Sequence, residues 1–280
     1  MSRLMQAALS GIAAMVLSMT ANAGVAAGAV CHAASGPQRG ALLELYTSEG
    51  CSSCPPADRW FAAQATVADP VKLSLLAFHV DYWDSIGWPD RFGSAANSAR
   101  QEMRAGQAGS DSVYTPQVML GTHTGLPWQS PGRAMAVVKA VNAQASPLAL
   151  TLTATPTAQH WRINLQANPV VHATAPASIY LALYQDGLST QVRAGENNGA
   201  TLHHERVVRA LYGPWPFAAM RWMRDIEVAP PRDAQGGRLG LTAFVQANST
   251  GEILQALSLP LATCTKKMAL PTRFELVFPP

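Results

Sequence analysis

Hydrophobic and polar positions follow two different patterns along the chain. Between about residues 41 and 145, continuous apolar runs at Ala41–Thr47 and at 71–80 have the length and composition of buried strands. Between them, Ala57, Phe61 and Ala65 recur at the spacing of one helix face, which predicts a helix over 52–66. This part of the chain is therefore predicted to alternate strands and helices.

The same region contains further predicted elements, giving the order β-α-β-α-β-β-α. Ser94 is predicted to cap a helix that ends near Gly106. The other predicted features are an apolar helix face at Ala96, Ala99 and Met103, strands at 117–121 and 126–128, and a helix opened by Ser130 and Pro131.

After about Ser146 the apolar residues alternate with polar ones at every second position. This period of two predicts strands with one buried face, for example at 148–153, 161–166, 239–247 and 253–261. We therefore expect an antiparallel, sandwich-like β domain over 147–280, following an α/β domain over 38–146.

Cys51 and Cys54 form a C-x-x-C motif at the junction between the first predicted strand and the first predicted helix. A dithiol in that place of an α/β order is typical of a thioredoxin-like core and predicts redox chemistry. We expect Cys51 to be the exposed, attacking sulfur, stabilised as thiolate by free amides and the dipole at the helix start. Cys54, one turn deeper, is expected to resolve the mixed disulfide.

Thr115 and Pro116 precede the third predicted strand, where thioredoxin-like proteins place a cis-proline that faces the dithiol. The alternative is an ordinary trans-proline at a strand start. Trp83 belongs to an aromatic-rich insertion at 81–93 that forms either a binding wall or a cover for the sheet end. Thr115, Pro116 and Trp83 are therefore predicted to bind the substrate.

Several segments resemble a secreted thioredoxin-like family of uncharacterised function. They are LELYTSEGCSSCPP at 43–56, FHVDYWD at 78–84, YTPQ at 114–117 and the segment 195–209 with its His203–His204 pair. The resemblance implies a thioredoxin fold with an attached β-rich domain, and it implies no substrate.

The N-terminus predicts export. Residues 1–23 contain Arg3 as their only charge, an apolar stretch and an A-x-A pattern at Ala21–Ala23, as in a cleaved secretory signal. In a secreted or periplasmic protein the four cysteines favour two disulfides, 51 with 54 and a structural bond between Cys31 and Cys264. The alternative leaves Cys31 and Cys264 unpaired or bound to other chains.

Composition and motifs limit the partners. After loss of Arg3 the chain has 19 basic and 17 acidic side chains, a net charge of +2, without a basic cluster for nucleic acid or for an anionic membrane. No later segment predicts stable membrane insertion, and no motif predicts a cofactor or hydrolase chemistry. The expected partners are protein or small-molecule thiols and disulfides, and an unidentified redox partner.

Two other functions stay open from the sequence. Cys51, Cys54 and His79 would together make a soft copper or zinc site, as in a metallochaperone. A non-catalytic binding protein would use the same scaffold without redox turnover. The main hypothesis is a thiol–disulfide oxidoreductase.

Overall fold

The computed structural model describes residues 30–170, 176–218, 220–234 and 238–265. The predicted signal segment 1–23 and the end of the chain after residue 265 lie outside them. The described residues contain three α-helices: α1 Pro55–Val67, α2 Ala95–Gln107 and α3 Pro131–Asn142. Short 3-10 turns occupy Asp84–Ile86 and Leu261–Thr265.

Strands dominate the described part of the chain. They are β1 Cys31–Ala34, β2 Ala41–Thr47, β3 Leu73–His79, β4 Gln117–Leu120, β5 Leu148–Pro156, β6 Trp161–Pro169, β7 Ala177–Asp186, β8 Leu188–Gln191, β9 Thr201–His204, β10 Val207–Phe217, β11 Trp222–Val228, β12 Arg238–Ala247 and β13 Ile253–Pro260. Residues 126–128 form no strand, contrary to the prediction, although Leu126 N–H donates to the Val118 carbonyl.

Seven of these strands form one mixed sheet in the order β13-β12-β7-β10-β3-β2-β4. In it β2 and β10 both run parallel to β3, and the other neighbours are antiparallel. A second sheet has the order β1-β5-β6-β11, and β8 pairs with β9 alone.

The predicted fold class, a thioredoxin-like α/β core followed by a separate antiparallel β domain, is wrong. The strands predicted for that core share the seven-stranded sheet with β7, β10, β12 and β13, and the described residues are mainly β. The decisive contact is the pairing of β10 with β3 at Val207 and Ala77. The alternation of apolar residues predicted strands but carried no information about which strand pairs with β3.

Both faces of the large sheet are covered. Along β7, Ile179, Leu181 and Leu183 pack toward the four-stranded sheet, whereas Tyr180 and Tyr184 pack on the opposite side. Helices α1 and α3 cover β2, β3 and β4 through a third cluster that includes Phe61 and Val138. The predicted boundary near Ser146 falls within a molecule whose main sheet uses strands from both sides of it.

The carboxyl ends of β2 and β3 lie at one edge of the sheet because these strands are parallel. The C-x-x-C segment follows β2, and the aromatic insertion follows β3. The connection between β8 and β9 meets them at the same edge through contacts from Asn197 and Glu196. This edge is where the candidate site forms.

Candidate functional site

Cys51 and Cys54 are joined by a disulfide bond just before α1, and Cys54 is the N-cap residue of that helix. Both cysteines are 0% exposed, while Ser52 and Ser53 between them are exposed. The prediction that Cys51 is solvent-exposed is therefore wrong for this structure. Any reaction of its sulfur requires a movement that uncovers it.

The connection between β8 and β9, residues 192–200, lies against the C-x-x-C segment, and we call it the cover loop. Asn197 Nδ2 donates to the carbonyls of Glu49, at 2.9 Å, and Cys51, at 3.0 Å. Glu196 accepts a hydrogen bond from Ser52 N–H at 3.0 Å. Most of the loop is itself exposed to solvent, and neither cysteine of the C-x-x-C segment belongs to one of the hydrophobic core clusters of the described residues.

The cover loop approaches the aromatic insertion closely. A side chain at Gly195 would meet Trp88 Cβ at 3.0 Å, and the backbone there has a φ of +70°, which glycine tolerates. A Cβ added at Gly50 would lie 3.2 Å from Trp83 Cβ. These contacts explain why small residues occupy both positions beside the disulfide.

The thiolate environment differs from the one expected at a helix start. Pro55 and Pro56 lack N–H groups. The next two amides, of Ala57 and Asp58, both donate to the Cys54 carbonyl. Ser53 Oγ lies 3.3 Å from Cys51 Sγ, so its hydroxyl is placed to donate to a thiolate formed there.

The predicted substrate-binding residues lie beside the disulfide. Trp83 Nε1 donates to Thr115 Oγ1 at 2.7 Å, and Ser53 Oγ is 3.5 Å from the Thr115 carbonyl. The Thr115–Pro116 bond is cis, and both residues are half-buried. The structure therefore brings Trp83 and Thr115 to the C-x-x-C segment, and their role in binding stays a prediction.

Two histidine–carboxylate pairs lie buried beneath this region. His79 Nδ1 is 2.6 Å from Asp90 Oδ2, and His204 Nε2 is 3.2 Å from Glu49 Oε1. The two imidazole rings meet edge to face with centroids 4.8 Å apart. Glu49 also accepts from Trp88 Nε1 at 2.9 Å, so it is a buried network residue and not a solvated loop carboxylate.

Asp58 completes this cluster on the side of α1. It follows Cys54 by four residues, so both lie on one helix face, and it accepts a hydrogen bond from Thr47 Oγ1 at 2.9 Å. Asp58, His79 and His204 line a cavity of about 10 Å³, close to the smallest volume that holds a water molecule. Among the described atoms His79 Nε2 has no hydrogen-bond partner.

The pKa values in the cluster are pulled in opposite directions. Burial raises the pKa of Asp58 above its ordinary value, and the nearby histidines only partly offset this. Burial also raises the pKa of Asp90, but its charge attraction and hydrogen bond to His79 outweigh burial and bring it to about 2. The pKa of His79 is raised because Asp90 outweighs the opposing effect of burial.

A family model described as a protein of unknown function, DUF1223, matches residues 42–246. The chain belongs to the DUF1223 family. The matched segment includes Cys51, Cys54 and the whole cover loop. It excludes Cys31 and Cys264, so the DUF1223 assignment covers the candidate site and not the second disulfide.

Two solved structures resemble this DUF1223 protein. An X-ray structure of a protein from Agrobacterium tumefaciens has a TM-score of 0.60 and 22% identity, covering 81% of this chain and 96% of that chain. HBP35 of Porphyromonas gingivalis has a TM-score of 0.58 and 14% identity, with 88% and 81% covered. No curated protein matches the sequence. At these identities the likenesses show the fold alone.

The remaining predictions for this DUF1223 chain have simple outcomes. Cys31 and Cys264 form the second disulfide. Within the described ranges there is no group of three or more His, Cys, Asp or Glu side chains that could hold a metal ion. Cys51, Cys54 and His79 therefore do not form the metal site that the sequence left open. None of the helices in those ranges is long and apolar enough to cross a membrane.

The sequence interpretation missed the residues that contact the C-x-x-C segment but lie far from it along the chain. Asn197 and Glu196 come from a polar connection about 145 residues further along the chain, and no periodicity marks them. Asp58 was detectable, since a carboxylate four residues after Cys54 falls on the same helix face. His203 is exposed and His204 is buried, because neighbouring residues of strand β9 point to opposite faces.

Proposed function

We propose that this protein exchanges disulfides with client thiols through Cys51 and Cys54 after displacement of the cover loop. The observation that carries the proposal is the position of the disulfide, which lies at the start of α1, outside the hydrophobic core clusters and next to the exposed cover loop. Hydrogen bonds made by the side chains of Asn197 and Glu196 hold that connection on the C-x-x-C segment.

The oxidised form acts as a two-electron acceptor. A client thiolate attacks Cys51 Sγ, the bond between the two cysteines breaks, and Cys54 leaves as a thiolate that takes up one proton. A second client thiolate then attacks the client sulfur of the mixed disulfide and releases Cys51. The client dithiol is oxidised to a disulfide, and the protein gains two electrons; the reverse sequence reduces a client disulfide.

The surrounding groups supply what this exchange needs. Asp58, one helical turn from Cys54, is the group placed to give and take the proton, because its raised pKa brings it closer to neutral pH than an exposed aspartate. Ser53 stabilises a Cys51 thiolate through its hydroxyl. Thr115, Pro116 and Trp83 line the side from which a client approaches.

An oxidising compartment suits this chemistry. Disulfides persist outside the cytosol, and the chain contains two of them. We infer a secreted or periplasmic location, with protein or small-molecule thiols as clients and a separate redox partner that restores the pair.

The proposal is tested by measuring how fast dithiothreitol reduces the Cys51–Cys54 bond in the folded protein, with mass spectrometry of alkylated thiols. Asn197→Ala removes the two hydrogen bonds that Asn197 donates to the carbonyls of Glu49 and Cys51, and we expect roughly tenfold faster reduction. Gly195→Ala pushes the loop off Trp88 and should act in the same direction. Gly109→Ala is the control, since Gly109 also has positive φ but lies against no neighbouring atom within 4 Å.

A second experiment traps client proteins as mixed disulfides with Cys51. In cells expressing Cys54→Ala, Cys51 should accumulate mixed disulfides that reducing agent releases, and the Asn197→Ala, Cys54→Ala double variant should accumulate more. A wild-type bond that is reduced only when the protein unfolds, together with no trapped client in either variant, would reject the proposal.

One observation favours a second function, a binding protein without redox turnover. Both cysteine side chains are fully buried. Such burial is expected for a structural disulfide that never reacts, and also for a reactive disulfide that becomes accessible only after a movement. This candidate predicts the outcome just described: no trapped client, and reduction only after unfolding.

A further inference from the structure

A groove with a volume of about 730 Å³ lies between α2 and the face of strands β7 and β10. Volumes of this size are typical of small-molecule sites. None of its lining residues belongs to the dithiol, the cover loop or the buried histidine pairs. The groove is a separate feature of the molecule.

Its helix wall is the apolar face that the sequence predicted for α2. Ala96, Ala99 and Met103 are all exposed in the structure and line the groove. The buried face of α2 is instead polar, with Arg100, Arg104 and other side chains directed at the sheet. An apolar helix face is thus left without protein cover, beside a floor that includes Tyr180 and Val208.

The charge of the groove is one-sided. Arg91, Arg100 and Arg209 line it, and no aspartate or glutamate does. Arg209 is paired with Asp233, which Arg91 also influences electrostatically, and Arg209 Nη1 donates to Gln185. Arg100 shares Glu44 with Arg104.

Arg100 is buried, so its positive charge is poorly screened by solvent. Its Nη1 has no hydrogen-bond partner among the described atoms, and its guanidinium lies about 5 Å from the ring centroids of Phe78, Tyr180 and Phe244. A buried cation that shares its only carboxylate leaves positive potential at the base of the groove. At the rim, Arg91 and Arg209 stack on Phe92, which orients both cations.

We propose that this groove binds a small amphipathic carboxylate, an organic acid with an elongated apolar body. The apolar body lies along Ala96, Ala99 and Met103, and the carboxylate pairs with Arg91 and Arg209 at the rim. Among the described atoms Arg91 donates only through Nη2, to the Ser189 carbonyl, so its Nε and Nη1 are left for a two-point hydrogen bond with a carboxylate. Arg209 contributes its charge beside it.

The test uses dodecanoate below its micelle concentration, with isothermal titration calorimetry on the folded protein. We expect binding of one dodecanoate per chain. Dodecanol keeps the apolar body without the charge, and inorganic phosphate keeps an anion without the body; both are expected to bind at least tenfold more weakly. Equal binding of dodecanoate and dodecanol would overturn the charge assignment, and no binding of dodecanoate would overturn the site.

Three variants locate the ligand. Ala99→Trp fills the groove from an exposed helix position and should abolish binding, while Arg91→Gln and Arg209→Gln should each weaken it about tenfold. Arg133→Gln changes the net charge equally at an exposed position on α3, outside the groove, and should leave the affinity unchanged. Unaltered affinity in Ala99→Trp, or an equal loss in Arg133→Gln, would contradict the proposal.

Discussion

Asp58 is a buried carboxyl group whose ionised form the fold disfavours. Because burial raises its folded pKa above the unfolded value, its charge costs stability, and the cost grows as pH rises from the unfolded pKa of 3.8 through the folded pKa. Asp58→Asn keeps an acceptor for Thr47 and removes this cost. We expect a higher thermal midpoint than wild type at pH 7 and none of that gain at pH 3.

The same substitution should slow disulfide exchange, because Cys54 then loses its neighbouring proton donor. The measurements are thermal unfolding at the two pH values and the pH profile of reduction by dithiothreitol. A variant that is more stable but exchanges at the wild-type rate would show that Asp58 has no role in proton transfer.

Asp90, unlike Asp58, stabilises the folded protein in its ionised form. Its folded pKa of about 2 lies below the unfolded 3.8, so its contribution to stability is present above 3.8 and is lost as pH falls through about 2. The difference corresponds to about 2 kcal/mol. His79 is charged in both states over this range, because its folded pKa lies above its ordinary value of 6.5.

We therefore expect the free energy of unfolding of wild type to fall by about 2 kcal/mol more than that of Asp90→Asn between about pH 5 and about pH 2. Urea denaturation at several pH values measures the two slopes. Parallel curves for the two proteins would contradict the assignment of this acid sensitivity to Asp90.

At the scale of elements, α2 is held to the sheet by charge. Glu44 on β2 is fully buried and accepts hydrogen bonds from Arg104 Nε and Arg100 Nε, both at 2.8 Å. Its pKa is lowered because the two arginines outweigh burial. Glu44→Gln leaves both guanidinium groups buried without a carboxylate, which should cost about 3 to 5 kcal/mol.

Urea denaturation measures this cost. Glu252→Gln is a matched control, because Glu252 pairs with Arg39 at the surface and its loss should cost about 1 kcal/mol or less. Similar losses in the two variants would show that the Glu44 pair does not anchor α2.

The elements that local patterns define were accessible from the sequence, and long-range pairings were not. Ser94 caps α2 through its side chain, as the sequence predicted, and β2 begins and ends at the predicted residues. The pairing of β10 with β3 depends on residues 130 positions apart, Val207 and Ala77, and alternation cannot specify it. The candidate site divides in the same way, since Cys51, Cys54, Thr115 and Trp83 come from local motifs and the cover loop comes from a distant connection.

For the whole molecule, the shared sheet links the two halves of the chain. Strands β2, β3 and β4 precede the predicted boundary near Ser146, and β7, β10, β12 and β13 follow it. All seven lie in one hydrogen-bonded sheet. We expect a single cooperative unfolding transition, with coincident curves from circular dichroism and tryptophan fluorescence. Two separated transitions would support two independent domains.

The two disulfides should differ in their effect on the stability of the whole molecule. The Cys31–Cys264 bond joins β1 to the 3-10 turn after β13 across 233 residues, whereas Cys51 and Cys54 are three residues apart. Chain entropy assigns roughly 5 to 6 kcal/mol to the long loop and about 2 kcal/mol to the short one, with measured values often smaller.

Replacing Cys31 and Cys264 together by serine should therefore lower the free energy of unfolding more than replacing Cys51 and Cys54 together, as measured in urea without reducing agent. The second pair of substitutions should abolish disulfide exchange while the protein stays folded. The opposite order of stability would mean that the C-x-x-C bond holds the fold together, and the Cys51–Cys54 bond would then be structural and not redox-active.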